Sequence, residues 1–327
     1  MDGYLIFLYG VALLVSFLAL WGSSSLSVRY SIETAGKFRL TTLFVGFVLI
    51  AISTGFPELS VVITSLFKGV QGISAGDILG SNVCDVSLVL GLPILIYGKI
   101  LIKPEENKDA GPMFFVAILA MLLVFLLGTL VRTTGLFLIL IYFIALWGLW
   151  RNRTKEESLE EEREHKKVVL DGDIFLKTKF GILLKLLISL ILVLVSSEFV
   201  VRFAIKLTSL LHLSLETVGA TILAVGTSLP EVTLGLQAVK KKEYSLALGN
   251  SLGSVLEQGT LLLGILAFAS DKPINIHPLR GLAPFMFISF AILGFGIFKR
   301  KCLKRLEGGI MILVFAAFMF YYLFWVR

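Results

Sequence analysis

The sequence predicts an all-α membrane protein with ten transmembrane helices, arranged as two inverted five-helix repeats. Three observations predict this fold class: the composition, the number of long apolar runs and an internal repeat. Of the 327 residues, 57% are hydrophobic and only 16% are charged, and the mean hydropathy is +0.91. Such a chain has too little polar surface to cover a water-soluble globule. We therefore expect a multi-pass protein of the cell membrane.

Ten apolar runs are long enough to cross a bilayer, which takes roughly 20 helical residues. They lie at 4–22, 40–66, 74–97, 112–131, 133–150, 180–201, 214–239, 244–269, 281–298 and 306–325. The long hydrophilic segment 151–179 contains "TKEESLEEEREHKK", and its mixed charges favour a solvated linker. The sequence thus predicts a first half over 1–150 and a second half over 180–327, with five spans in each.

The two halves share a repeated sequence. With a constant offset of 173 residues and no gap, residues 23–91 match residues 196–264 at 20 of 69 positions. Because five is an odd number of spans, the second copy must enter the membrane from the opposite side. Inverted repeats with sites near the midplane are an architecture of secondary transporters.

The distribution of basic residues predicts the orientation of the chain. When the loops are assigned alternately to the two sides, one side receives 22 Lys and Arg residues and the other receives seven. By the positive-inside rule, both termini lie outside and the 151–179 linker is cytoplasmic. The net charge of +7 is explained by this asymmetry, so we expect no nucleic-acid partner.

Glu58 and Glu231 occupy the same position of the repeat, inside long apolar runs. An unpaired carboxylate is costly there, so each should face a partner, a cation or water. Thr54 and Thr227 lie four residues earlier and should share a helix face with the glutamates. The proline before each glutamate frees backbone carbonyls around these threonines. Carboxylates beside free carbonyls form a hard, oxygen-only cation site.

The next helix of each half carries a polar stripe. Its members recur every four residues: Asp77, Ser81 and Asp85 in the first half, and Asn250, Ser254 and Gln258 in the second. Glycines around the stripes permit close helix approach. Two glutamate helices and two striped helices, related by a pseudo-twofold axis, would enclose a cluster of oxygen ligands.

These motifs resemble the calcium/cation antiporter superfamily, and within it the sodium/calcium exchangers of the prokaryotic type. "STGFPE" at 53–58 and "GDILGSNVCD" at 76–85 resemble the first alpha repeat of that family. "AVGTSLPE" at 224–231 and "LGNSLGS" at 248–254 resemble the second. The similarity extends through essentially the whole chain.

The resemblance implies a ligand set. Calcium would be held by Glu58 and Glu231 with the backbone oxygens of Thr54 and Thr227. Sodium would use the same carboxylates with further oxygen ligands, namely the hydroxyls of Ser81, Ser228 and Ser254, the carbonyls of Ala51 and Ala224, and the side chain of Asp85. The bound species are then the transported ions, without any further cofactor.

The chain departs from the family pattern at several positions. Gly55 replaces a usual serine, Asp77 and Asp85 replace asparagines, Val255 replaces an asparagine and Gln258 replaces an aspartate. These changes retain the implied calcium ligands. They leave the driving ion open between sodium and protons, because buried carboxylates can cycle their protonation.

The leading functional prediction is a secondary antiporter, and no enzyme, that exports calcium in exchange for inward sodium by alternating access. A proton/calcium antiporter is the runner-up. An intramembrane protease is disfavoured because the sequence has no HExxH or other zinc spacing, and because aspartyl proteolysis has no need of an inverted duplicate. A channel is disfavoured because two half-sites suit exchange better than continuous conduction. We expect a monomer whose partners are the ions and membrane lipid.

Overall fold

The computed structural model describes residues 2–37, 55–102, 107–151, 179–240, 242 and 244–325, which are almost wholly helical. The helices are α1 (Asp2–Lys37), α2 (Phe56–Lys68), α3 (Gln71–Tyr97), α4 (Asn107–Leu127), α5 (Arg132–Arg151), α6 (Lys179–Leu211), α7 (215–227), α8 (Leu229–Lys240), α9 (244–269), α10 (Leu282–Arg300) and α11 (Arg305–Trp325). The short strands are β1 (Lys99–Leu101), β2 (Thr129–Leu130), β3 (Ile274–Asn275) and β4 (Cys302–Lys304).

Within the described residues, eight helical stretches are long and apolar enough to cross a membrane. They correspond to eight of the ten predicted runs. The run 133–150 forms α5, whose apolar part, Arg132–Gly148, is shorter than the others. The run 40–66 lies partly outside the described residues, and its described part begins at Gly55. The 151–179 linker also lies almost entirely outside them.

A residue with non-helical backbone angles lies three positions before each of the two repeated glutamates. Ser228 separates α7 from α8 with φ −78° and ψ 3°. Gly55, directly before α2, has nearly the same conformation, with φ −77° and ψ 0°. The sequence predicted a proline inside a bent apolar helix of each half, and Pro230 lies within the apolar helical stretch Leu215–Lys240. Pro57 and Pro230 occupy the first turns of α2 and α8. A proline is tolerated there because its missing N–H has no intrahelical partner to lose.

The first half contacts the second through glycines on α3 and α7. A Cβ atom built on Gly76 would lie 2.3 Å from the Glu216 carbonyl oxygen, and one on Gly80 would lie 2.2 Å from the Ala220 carbonyl oxygen. From the other side, a Cβ on Gly219 would lie 2.1 Å from the Ile73 carbonyl oxygen. The two backbones therefore touch, as predicted for small residues at a membrane-helix interface.

Two further helix crossings involve glycines at equivalent positions of the halves. On α3 and α11, a Cβ on Gly308 would lie 2.9 Å from the Gly91 carbonyl oxygen. On α9 and α5, a Cβ on Gly264 would lie 2.9 Å from the Gly135 carbonyl oxygen. Gly91 and Gly264 differ by 173 in number, as do Gly135 and Gly308. The crossing of α3 with α11 and the crossing of α9 with α5 are therefore equivalent under the offset of 173, and each joins the two halves of the chain.

The short strands pair in the same reciprocal way. β1 pairs with β4 in antiparallel fashion, with Ile100 opposite Leu303, and β2 pairs with β3, with Leu130 opposite Ile274. Adding 173 to the β1 numbers leads to the start of β3, and adding it to the β2 numbers leads to β4. Each ladder therefore joins the two halves of the chain.

α1 and α6 are the longest helices and pack against each other. α1 has 36 residues, about 54 Å at roughly 1.5 Å per residue, which exceeds a hydrocarbon core of about 30 Å. Large apolar side chains such as Phe7 and Leu187 are exposed on this pair, as expected for a lipid-facing surface. α6 reaches the rest of the bundle through Ser197, 3.3 Å from the Thr64 hydroxyl, and through an ion pair of Glu198 with Lys68 at 2.9 Å.

Candidate cation-binding site

A cluster of buried polar side chains lies where the helix breaks and the polar stripes meet. Its acidic members are almost completely inaccessible, with exposed fractions of 0% to 2%: Glu58, Asp77, Asp85, Glu231 and Glu257. Electrostatic interactions connect Glu58 with each of the other four. None of the described Lys, Arg and His side chains is buried. The negative charge of this cluster is therefore not balanced by a basic side chain in the described part of the protein.

The helix breaks place Glu58 and Glu231 in the first turns of α2 and α8. The N-terminus of a helix carries a partial positive charge and unpaired N–H groups, which stabilise a carboxylate. The break at Ser228 lies between Thr227, the last residue of α7, and the helix α8 that carries Glu231. Thr54 and Ala51, the corresponding residues of the first half, lie outside the described residues.

The first polar stripe faces the end of α7. The Thr227 hydroxyl donates a hydrogen bond to the Asp77 carboxylate at 3.0 Å. The Ser81 hydroxyl lies 3.3 Å from the Thr227 hydroxyl and 3.4 Å from the Ala224 carbonyl oxygen. The structure thus brings together Asp77, Ser81, Ala224 and Thr227 across the two halves of the chain.

The second polar stripe contacts α8 and α3. The Asn250 side-chain amide donates to the Glu231 carbonyl oxygen at 3.2 Å. Ser251, which is not a member of the predicted stripe, donates from its hydroxyl to the Asp85 carbonyl oxygen at 2.7 Å. Ser254 and Gln258 are buried on the same helix. Asp85 and Gln258 both lie in π-helical turns, Asp85–Val89 in α3 and Glu257–Leu262 in α9.

Several oxygens of the cluster have no hydrogen-bond partner among the described residues. They include both carboxylate oxygens of Glu58, Asp85 and Glu231, the second oxygen of Asp77, the Ser228 hydroxyl, and the amide oxygens of Asn250 and Gln258. Buried polar groups are normally paired, and an ionised carboxylate without a partner is costly to bury. Inaccessible carboxylate, hydroxyl and amide oxygens are the ligand types that hard cations such as Ca²⁺ and Na⁺ accept.

Among the described residues, no three His, Cys, Asp or Glu side chains are close enough to hold one metal ion together. The candidate calcium site needs only two carboxylates, Glu58 and Glu231, together with backbone oxygens. One of its predicted ligands, the backbone carbonyl of Thr54, lies outside the described residues.

Sequence reasoning missed Glu257 and Ser251. The signal for Glu257 was present, because it is an acidic residue inside an apolar run, one position before the predicted ligand Gln258. The repeat does not reveal it, because the equivalent residue of the first half is Cys84 and not an acid. Ser251 carried no signal, because its neighbour Asn250 already accounted for that turn of the helix.

Comparison with known proteins gives the same fold and family. A family model described as "Sodium/calcium exchanger protein" matches the chain over residues 8–151 and again over residues 181–324. Residues 8 and 181 differ by 173, as do residues 151 and 324. The chain has the fold of the sodium-calcium exchanger NCX_Mj, solved after soaking with Na⁺ and Sr²⁺. The TM-score is 0.65 at 23% identity, covering 95% of this chain and 98% of that chain.

Two relatives are similar over nearly their full length. A sodium/calcium exchanger of Methanosarcina acetivorans is 25% identical over 352 aligned positions, covering 97% of each protein. A putative antiporter of Alkalimonas amylolytica is 25% identical over 315 positions, covering 95% of this chain and 97% of that protein. Both are transporters, and neither is an enzyme.

Proposed function

This chain belongs to the sodium/calcium exchanger protein family, and from that premise we propose that it exchanges Ca²⁺ for Na⁺ across the cell membrane by alternating access. Inward sodium drives calcium out of the cell. The family and the relatives support cation/calcium antiport. We propose in addition that sodium is the driving ion and that calcium moves out of the cell.

One observation carries this proposal. Glu58 and Glu231 lie in the first turns of two helices, each preceded by a residue of the same backbone conformation, Gly55 and Ser228. Their carboxylate oxygens are buried without a partner among the described residues. Helix ends in the middle of membrane spans are where secondary transporters bind their ions. A divalent cation between two carboxylates offsets their repulsion.

The proposed ion ligands are those that the resemblance to the exchanger family implies. Calcium is bound by Glu58 and Glu231 and by the backbone oxygens of Thr54 and Thr227. Sodium uses the same carboxylates with additional oxygens, namely those of Ser81, Ser228, Ser254, Asp85, Gln258, Ala51 and Ala224. The contacts of Ser81 with Thr227 and Ala224 support this set. Asp77 and Asn250 complete the proposed set, and their bonds to Thr227 and to the Glu231 carbonyl hold them beside the other ligands.

Two inverted five-helix repeats, 1–150 and 180–327, provide one wall of the site each. This part of the proposal is supported by the double match of the family model at an offset of 173. The reciprocal glycine crossings and the reciprocal strand pairs support it as well. Both are contacts that a pseudo-twofold axis would generate.

Both termini lie outside, and the 151–179 linker lies in the cytoplasm. The contacts support the alternating assignment of loops from which the charge asymmetry was counted. β1 and β4 belong to loops assigned to the inside, and they pair with each other. Arg132 and Asp271 belong to loops assigned to the outside, and they form an ion pair at 2.8 Å. The exchanger works as a monomer surrounded by lipid.

Calcium uptake into proteoliposomes tests the proposed function. The purified protein is reconstituted, and gradients of sodium, potassium or protons are imposed one at a time. An outward sodium gradient should drive calcium uptake against its own gradient, and collapsing the sodium gradient with an ionophore should abolish it. Uptake driven by a pH gradient without sodium would replace this proposal by proton/calcium exchange. Downhill calcium flux that no gradient can reverse would indicate a channel.

A further inference from the structure

Glu257 is a buried acid that the proposed exchange site does not use. It lies at the start of the π-helical turn of α9, is 2% exposed, and its Oε2 atom has no hydrogen-bond partner among the described residues. The equivalent residue of the first half is Cys84, which is buried in the apolar core. The second half therefore has a carboxylate where the first half has a thiol.

Tyr142 on α5 lies at about the same level as Glu257 on α9, the helix that α5 contacts. α5 and α9 run antiparallel and touch at Gly135 and Gly264, and Ile139, one turn further along α5, also packs on Gly264. Moving two turns from the glycine contact along both helices leads to Tyr142 on one and Glu257 on the other. The Glu257 carboxylate interacts electrostatically with the Tyr142 hydroxyl.

Tyr142 has the same unusual features as Glu257. The residue is 3% exposed, and its hydroxyl has no hydrogen-bond partner among the described residues. A buried tyrosine hydroxyl normally finds a partner. The equivalent residue of the first half is Phe315, which packs on the apolar core. A carboxylate and a hydroxyl thus replace a thiol and a phenyl ring, on matching faces of equivalent helix pairs.

The surroundings of this pair favour a cation. Glu257 interacts electrostatically with Glu58, Asp85 and Glu231, and none of the described basic side chains is buried to balance them. The π-helical turn from Glu257 to Leu262 departs from the regular α-helical hydrogen-bond pattern, and such turns are frequent at functional sites. The pair offers one negative charge and one neutral oxygen, which suits a monovalent ion better than Ca²⁺ with its six to eight oxygen ligands.

We propose that Glu257 and the Tyr142 hydroxyl bind a sodium ion, at a position that exists only in the second half and lies beside the exchange site. The position adds one monovalent cation to those held by the central carboxylates. It rests on the proposed sodium/calcium exchange for its role in transport, but its existence can be tested by binding alone.

Sodium binding to the purified full-length protein in detergent tests this position, with ²²Na⁺ as the probe at fixed pH and without calcium. Glu257→Gln should bind one sodium ion fewer per chain than the unmodified protein. Tyr142→Phe should bind the same number, with about fivefold weaker affinity at one position, which corresponds to the roughly 1 kcal/mol of a single hydroxyl contact.

Two matched controls separate this position from general effects. Glu198→Gln removes a carboxylate that is paired with Lys68 and Arg202, and Tyr322→Phe removes another buried hydroxyl, 3.5 Å from the Pro278 carbonyl. Both should bind sodium like the unmodified protein. If Glu257→Gln binds the same number of ions with the same affinity, the proposal is wrong. If that variant does not fold, unchanged sodium affinity in Tyr142→Phe contradicts the proposal equally.

The outcome is independent of the transport assay. If proteoliposomes show no sodium-driven calcium uptake, sodium/calcium exchange is refuted, whereas loss of one bound sodium in Glu257→Gln still supports this position. If exchange is confirmed and sodium binding is unchanged in both variants, only the additional position is refuted.

Discussion

The Thr227 hydroxyl, at the end of α7, donates a hydrogen bond to the Asp77 carboxylate of α3 over 3.0 Å, and so joins the two halves of the chain inside the polar cluster. Both residues are fully buried. The bond lies next to the helix break at Ser228. The helix α8, which carries Glu231 in its first turn, begins directly after this residue. The bond therefore connects the wall provided by the first half to the backbone that positions a glutamate of the second.

Replacing Thr227 by valine tests this link. The variant keeps the shape of the side chain but leaves Asp77 without its donor, which should destabilise the protein by about 1–3 kcal/mol and slow calcium exchange. Thr227→Ser, which retains the hydroxyl, should be close to the unmodified protein in both respects. Thermal unfolding in detergent and calcium uptake are the measurements. Equal behaviour of the valine and serine variants would show that the hydrogen bond does not matter.

Adjacent glycines on α11 provide a matched test of the helix crossing. A Cβ on Gly308 would lie 2.9 Å from both the Gly91 carbonyl oxygen and the Ile94 Cβ. Among the described residues, one on Gly309 would meet only the Leu95 Cδ1, at 3.9 Å. We expect Gly308→Ala to destabilise the protein by about 1–3 kcal/mol. Gly309→Ala should be neutral or stabilising by up to about 1 kcal/mol, because alanine favours the helix. Thermal unfolding of both variants checks this, and an equal loss of stability would contradict the close approach.

The orientation of the chain can be measured by cysteine labelling. In a background without Cys84 and Cys302, a cysteine at Ser158 in the linker should react with an impermeant reagent only after the cells are opened. A cysteine at Asp271, which is 92% exposed, should react in intact cells. The positive-inside rule underlies this expectation. Reversal of the two labelling patterns would overturn the orientation.

Asp85 and Gln258 occupy equivalent positions of the two polar stripes, so an exchange of their side chains tests the pseudo-symmetry. The double variant Asp85→Asn with Gln258→Asp keeps the number of central carboxylates. We expect it to retain calcium exchange, because the total charge presented to the ions is unchanged. An inactive double variant with normal expression and folding would show that Asp85 acts through its own surroundings, and a changed dependence on a pH gradient would point to proton coupling.

The features that the sequence predicted are those that occur in both halves of the chain. The offset of 173 related Glu58 to Glu231 and Gly91 to Gly264, and the four-residue spacing correctly placed Asp77 and Ser81 on one face. Residues four positions apart lie on the same face of an α-helix, so polar residues at this spacing predict one polar face. The stripe was therefore predicted to face a neighbouring helix before the neighbour was known.

Other features depend on contacts that no local pattern encodes. The bend before Glu231 was predicted from Pro230, but the sequence did not reveal that the non-helical residue would be Ser228. The proximity of Glu257 to Tyr142, which lies 115 positions earlier on another helix, could not be predicted from the sequence. The partner of Asp77 was likewise decided by the α3–α7 crossing.

The most direct test of the central claim, that Glu58 and Glu231 form one shared ion site, is calcium uptake by proteoliposomes that contain Glu58→Gln or Glu231→Gln under an outward sodium gradient. Each variant should fold, as judged by gel filtration and thermal unfolding, and each should lose uptake completely, because one carboxylate alone cannot replace the pair around a divalent ion. Glu198→Gln should transport normally. Substantial sodium-driven calcium uptake by either glutamine variant at position 58 or 231 would contradict the shared site.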